Sequence, residues 1–262
     1  MTVRIDRERV ERAFTEYAGH YDAGDVKIRL KIDHTYRVAA IAERIAYSLT
    51  DDPERVDFAW LSGMLHDIGR FEQLRRYGTF IDRLSVDHAE LGADLLFVDG
   101  LIGDFAEMQA ESAERAMMET AIRQHNKLAL PEDLDEDTAM YANILRDADK
   151  CDIFRVLTEP PFDERNGRIT AETRPARDSV MCCVLEHRCV PRGEDLTAFE
   201  GLLAQCCMAF ELFYPESRRI AEEQGYLDML LHLDLQPGPR EQMEILRREL
   251  GRPDGDRLSE RA

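Results

Sequence analysis

The sequence predicts an all-α protein, and two observations support that fold class. Apolar residues recur at helical spacing along nearly every segment, and the alternating pattern of strands is scarce. The predicted helices cover about 3–17, 33–49, 53–67, 70–76, 87–97, 110–126, 137–157, 178–187, 196–213, 215–223, 225–232 and 239–249.

Breaks in this pattern predict the connections and the domain organisation. Asp52 precedes Pro53, a pairing typical of an N-cap followed by a first-turn proline. The clearest interruptions are "ALPEDLDEDT" and the long loop "EPPFDERNGRITAETRP". We expect a main helical domain, a C-terminal helical extension packed on the same core and a flexible tail, at residues 1–177, 178–250 and 251–262.

Composition and charge exclude several classes of protein. The chain has 262 residues, of which 44% are hydrophobic and 33% charged, as in soluble globular proteins. No apolar run approaches the roughly 20 residues that span a bilayer, and the N-terminus lacks the apolar core of a signal peptide. We therefore expect a cytoplasmic protein without a membrane partner. The net charge of -19 opposes binding to long nucleic acids.

The six cysteines predict no chemistry of their own. They lie at Cys151, Cys182-Cys183, Cys189 and Cys206-Cys207, and no C-x-x-C sequence occurs. A zinc knuckle is disfavoured because adjacent cysteines do not readily share one tetrahedral ion. We expect reduced thiols that pack as small apolar residues in core helices.

Four of the seven histidines lie on apolar helix faces. His34, for example, shares its face with Val38 and Ile41. One such histidine is usually a core residue satisfied by a backbone carbonyl, but four buried imidazoles need four separate partners or a shared one. A metal centre would be a shared partner, because neutral imidazole is a common ligand of transition metals. The four histidines are His34, His66, His88 and His125.

Carboxylates near these histidines would complete such a centre. Asp67 directly follows His66. A second carboxylate is expected on the helix "YANILRDADKCDIF", which carries Asp147 and Asp149. This helix is apolar nearly all round, so its periodicity does not choose between the two aspartates.

With these histidines and aspartates, the chain resembles the HD-domain metal-dependent phosphohydrolases. The resemblance runs from "IDHTYRVA" through "LSGMLHDIGR", "SVDHAELGADLL" and "AIRQHNK" to "ILRDADKCDIF", about residues 30 to 157. It implies an HD-domain helical bundle in which Asp149 is the last ligand. The histidines that match His88 and His125 are typical of the binuclear branch of the family.

The resemblance also implies the arrangement of ligands. The first ion would take His34, His66, Asp67 and Asp149, and the second would take Asp67, His88 and His125, with Asp67 as the bridge. The resemblance therefore implies one or two ions of Fe, Mn, Zn, Ni or Co. These ions would activate a hydroxide as the nucleophile.

The expected substrate is a small phosphorylated metabolite or nucleotide, cleaved as a phosphomonoester, a phosphodiester or a dinucleoside polyphosphate. Arg70 is the first candidate to bind its phosphate and to act in catalysis. Weaker candidates for substrate binding are Arg123, Lys127 and Lys150. Two other functions stay open: a di-iron oxygenase of the same fold, and a metal-binding regulatory domain without turnover. The C-terminal third would cover the site or form the face of a homodimer.

Overall fold

The fold was taken from a computed structural model that describes residues 3–159, 169–191 and 195–252. Within these ranges all regular elements are helical and no strand occurs, which confirms the predicted all-α class. Part of the predicted loop at 159–175 and nearly all of the predicted tail at 251–262 lie outside the described residues. No helix in the described ranges has the length and apolar character needed to cross a membrane.

The chain divides into two compact units, Met1–Asp152 and Ile153–Ala262. The domain boundary at residue 177 stays a prediction. The helices of the first unit include α1 (Arg7–Gly19), α2 (Val26–Tyr47), α3 (Pro53–Leu65), α4 (Ile68–Tyr77), α5 (His88–Ala93), α6 (Ile102–Phe105), α7 (Ala113–Gln124) and most of α8 (Glu136–Val156). The helices of the second unit include α9 (Asp178–Leu185), α10 (Ala198–Cys206), α11 (Pro215–Gln224), α12 (Tyr226–Leu231) and α13 (Pro237–Leu250).

Short polar side chains start several helices of the first unit. Asp52 accepts a hydrogen bond from the backbone N–H of Glu54, with Pro53 in the first turn of α3, as predicted. Asp25 caps α2 in the same way through Lys27. As a result α2 begins at Val26, seven residues before the predicted start at 33, and this extra length carries Lys31 on the same helix as His34.

Helices α2 and α3 pack closely because small residues face each other between them. A Cβ atom added at Gly63 would lie 2.5 Å from the Cα atom of Ala39, so α3 approaches the backbone of α2 directly. This close contact brings the C-terminal end of α3 beside the middle of α2.

The His-Asp doublet lies at the junction of two helices. Helix α3 ends at Leu65 with His66 as its C-cap, and Asp67 precedes the first residue of α4. Gly69 falls between the predicted helices 53–67 and 70–76, but it lies inside α4, where its backbone contacts α5. The helix is interrupted at the doublet, where Asp67 has a non-helical backbone, and the two adjacent side chains reach one centre.

The cysteines pack as small side chains. Cys151, Cys183, Cys189, Cys206 and Cys207 are buried, Cys182 is exposed, and none of the six forms a disulfide. Burial raises the pKa of Cys206 to about 12.

Candidate metal centre

The side chains of the six predicted metal ligands come together in the first unit. They reach the centre from α2, from the junction of α3 and α4, from the start of α5, from the end of α7 and from α8. The four histidines and Asp67 are buried, and Asp149 is 15% exposed at its side chain. The six residues are His34, His66, Asp67, His88, His125 and Asp149.

The first group of ligand atoms surrounds one oxygen of Asp67. The Nε2 atom of His34 lies 3.5 Å from Asp67 Oδ2, and that of His66 lies 3.6 Å from the same oxygen. Asp149 Oδ1 lies 3.2 Å from His34 Nε2 and 3.8 Å from His66 Nε2. The two imidazole Nε2 atoms are 3.3 Å apart. These four residues are the set that the resemblance implies for a first ion.

The second group surrounds the other oxygen of Asp67. Asp67 Oδ1 lies 3.6 Å from His88 Nε2 and 4.0 Å from His125 Nε2. The Nε2 atoms of His88 and His125 are 3.1 Å apart. The carboxylate of Asp67 therefore has one oxygen in each group, the position expected of a bridging ligand.

Each imidazole is held through its other nitrogen, Nδ1. His66 donates from Nδ1 to the carbonyl of Gly63 at 2.7 Å, and His125 donates to the carbonyl of Ile122 at 2.7 Å. A carbonyl only accepts, so Nδ1 carries the proton in both rings, and neutral rings present an Nε2 lone pair to the centre.

Carboxylates hold the other two rings. His34 Nδ1 lies 2.6 Å from Asp152 Oδ2, and Arg37 donates to the same carboxylate. His88 Nδ1 lies 2.8 Å from Asp82 Oδ2. Such partners fix the orientation of a ligating histidine and raise its basicity.

The donor set fits a metal better than it fits a metal-free core. Neutral His88 and His125 would face each other with two lone pairs at 3.1 Å, which repel unless a proton or a cation lies between them. Ligands bound at about 2.1 Å stand roughly 3.0–3.4 Å apart around tetrahedral or octahedral ions. The separations within each group, 3.1–4.0 Å, are close to this range. Two groups of three metal-competent residues fall inside the cluster: His34, His66 and Asp149, and His66, Asp67 and His125.

Electrostatics favour the ligating forms of most of these residues. His34 is the exception: burial lowers its pKa, but the hydrogen bonds to Asp149 and Asp152 outweigh burial and raise it. Burial lowers the pKa of His66 to about 4 and that of His88 to about 3, which keeps both rings neutral at pH 7. Burial raises the pKa of Asp67, but the charge of Lys31 and the neighbouring His66 outweigh burial and hold it well below its usual range. Burial also opposes ionisation of Asp149, and the hydrogen bond to His34 reverses that effect and lowers the pKa.

Two cations lie against the bridging carboxylate. Lys31 Nζ is 2.5 Å from Asp67 Oδ2, and its side chain is 13% exposed. Arg70 Nε is 3.5 Å from Asp67 Oδ1, and its Nη1 atom donates to Asp82, Gln73 and the carbonyl of Phe80. Arg70 therefore lies beside the cluster, and one side of its guanidinium also supports Asp82, the residue that holds His88.

The weaker candidates for substrate binding are Arg123, Lys127 and Lys150. The first two form ion pairs with carboxylates outside the set of predicted ligands, and the third lies on a different side of α8 from Asp149. Arg123 pairs with Glu90, Asp94 and Glu119. Lys127 pairs with Asp87 and Glu90. Lys150 is buried on α8, where one step along the helix turns it about 100° from Asp149. The contacts of Arg123 and Lys127 do not link these two side chains to the cluster.

Sequence reasoning missed three residues next to the ligands: Lys31, Asp82 and Asp152. Helical spacing could have found two of them, because Lys31 lies three residues before His34 and Asp152 lies three residues after Asp149. Asp82 lies in a short 3-10 turn between α4 and α5, and no periodic pattern marks it.

The fold and the site define an all-α domain built around a histidine and aspartate cluster that could hold metal ions. Comparison with protein-family models matches residues 32–153 to the HD domain. This part of the chain is therefore an HD domain, as the sequence motifs indicated, and HD domains are commonly metal-dependent hydrolases. Comparisons with curated proteins and with solved structures gave no match.

Proposed function

We propose that the protein is a metal-dependent phosphohydrolase that cleaves a phosphoester or phosphoanhydride of a small metabolite or nucleotide. One observation supports this proposal most strongly. The two oxygens of Asp67 each face a separate pair of histidine Nε2 atoms, which is the geometry of a carboxylate shared by two metal sites.

Bound ions would supply Lewis acidity at the phosphate and would lower the pKa of an attacking water molecule. The protein itself holds the ligating imidazole rings in place. Asp152 and Asp82 orient His34 and His88, and the carbonyls of Gly63 and Ile122 orient His66 and His125. None of the four imidazole rings then has to rotate when metal binds.

The positive groups around Asp67 favour an anionic substrate. Lys31 and Arg70 are the cations that contact this carboxylate in the described part of the chain, and both lie within 5.7 Å of the Phe80 ring. In a chain with a net charge of -19 they form a local site for a phosphate group rather than a surface for a polyanion. We assign phosphate binding to Lys31 and Arg70, and no such role to Arg123 or Lys127.

The test combines metal analysis with a hydrolysis screen on the full chain. Protein purified without chelators would be analysed for bound metal and assayed against phosphomonoesters, phosphodiesters and dinucleoside polyphosphates, with and without oxygen. Asp67→Ala is expected to lose hydrolysis and bound metal while keeping its helical circular-dichroism spectrum. Asp33→Ala is the matched control, because Asp33 is an exposed aspartate beside His34.

The possible results separate the candidate functions. Release of phosphate that is independent of oxygen and requires Asp67 supports the proposal. Turnover that requires oxygen would identify an oxygenase instead. Bound metal without turnover across the screen would favour a regulatory domain, and full activity in Asp67→Ala would show that the doublet is structural.

A further inference from the structure

The second unit contains a cavity of about 430 Å³, and none of the candidate metal ligands lines it. Its walls come from the 3-10 turn at Cys207–Glu211 and from α11, α12 and α13. Leu212, Leu231 and Ala221 are buried and form an apolar part of the wall. A cavity of this volume is in the range of small-molecule sites.

This cavity is lined by an arginine whose guanidinium has no partner within the described part of the chain. The Nε atom of Arg247 is buried, and its guanidinium makes no hydrogen bond or ion pair with residues 3–159, 169–191 or 195–252. A buried N–H group that lacks an acceptor costs free energy, and Arg247 has such a group at Nε. An anion in the cavity would remove this cost.

The remaining charged groups show which anion fits. Arg218 also lines the cavity and donates through Nη2 to the carbonyl of Leu212 at 3.0 Å. Glu222 and Asp228 lie at the exposed edge, where Asp228 contacts His232. Two arginines attract an anion, whereas two carboxylates at the edge disfavour a ligand with several negative charges.

We infer that this cavity binds a small monocarboxylate with an apolar chain. The carboxylate would accept hydrogen bonds from Arg247, since planar guanidinium groups match carboxylates well. The apolar chain would lie against Leu212 and Leu231. This ligand site belongs to the second unit and is independent of the hydrolytic function proposed for the HD domain.

Isothermal titration calorimetry of the full chain tests this site, with sodium octanoate as the probe below its micelle-forming concentration. Octanoate is expected to bind saturably, and 1-octanol, which has the same chain without the charge, is expected to bind about tenfold more weakly or worse. Arg247→Gln should weaken octanoate binding by about tenfold or more for the same reason. Asp67→Ala should leave it unchanged.

Arg248→Gln is the matched control, because Arg248 lies next in α13, is 63% exposed and does not line the cavity. Leu227→Trp gives an independent test should Arg247→Gln fail to fold, since the larger ring would fill the cavity and abolish binding. The inference is overturned if octanoate does not bind saturably, if octanol binds equally well, or if folded Arg247→Gln or Leu227→Trp binds octanoate like the unchanged protein.

Discussion

Gly69 lies against the backbone of His88, so that a Cβ atom added at Gly69 would stand 2.3 Å from the His88 carbonyl oxygen. The same atom would lie 2.6 Å from the backbone nitrogen of Gly92. Both neighbours are backbone atoms of α5, which cannot rotate away as a flexible side chain can. The glycine after the His-Asp doublet therefore sets how closely α5 approaches the centre.

We predict that Gly69→Ala separates α4 from α5 and lowers the free energy of unfolding by about 1–3 kcal/mol, the usual cost of overpacking. Because His88 begins α5, the variant should also bind less metal at the second group of ligands. Thermal unfolding and metal analysis measure the two effects.

Gly103→Ala provides the control for this substitution. Gly103 lies in α6 with no atom within 4 Å of an added Cβ, so the change adds a methyl group without a clash. Alanine also favours a helix by about 1 kcal/mol over glycine. A Gly69→Ala protein as stable as the Gly103→Ala protein would mean that α5 tolerates the shift.

We predict that Asp152→Asn lowers metal affinity by about 10- to 100-fold without unfolding the protein, as is usual for partners of ligating histidines. Asp152 accepts from His34 Nδ1 and from Arg37, so the amide would lose the charge that orients the ring. Competition with a metal-binding dye measures the affinity. Asp33→Asn makes the same change at an exposed position and should bind metal normally. Equal affinities in the two variants would remove Asp152 from the site.

The ligands differ in how far the sequence could predict them. Periodicity placed His34 on an inward face because the helix around it is amphipathic. It could not choose between Asp147 and Asp149, since α8 buries residues on several sides. The family resemblance pointed to Asp149, whose Oδ1 atom lies 3.2 Å from His34 Nε2.

The residues around the ligands were harder to predict for a physical reason. Asp82 holds His88 across a loop, and this contact depends on how α4 and α5 meet rather than on spacing within one helix. The break between α3 and α4 at the doublet also depends on how helices pack. A continuous helix was expected through His66 and Asp67, but the close contact of Gly69 with α5 accompanies a break there.

We predict that Asp149→Asn loses bound metal and that Asp147→Asn keeps it. Two steps along a helix turn a side chain by roughly 200°, so the two aspartates cannot face the same ion. Both are on α8 and both substitutions remove one charge, which makes each the control for the other. Metal loss confined to Asp147→Asn would reverse the assignment.

Lys31 and Arg70 both contact Asp67, yet their removal should have different consequences. The ammonium group of Lys31 only donates and cannot ligate a cation, and it donates to Asp67 Oδ2. Arg70 also donates to Asp82, which holds His88. The sequence predicted Arg70 as a phosphate-binding and catalytic residue and gave no sign of its contact with Asp82.

We therefore predict that Lys31→Met keeps its metal but lowers kcat/KM for the phosphorylated substrate by about 10- to 100-fold, the usual effect of losing a hydrogen bond to a charged group. Arg70→Met should lower kcat/KM and also release metal, because Asp82 and His88 lose their support. Metal analysis and steady-state kinetics on the same preparations separate the two outcomes. Unchanged kinetics in Lys31→Met would exclude the lysine from substrate binding, and full metal content in Arg70→Met would show that Asp82 holds His88 without the arginine.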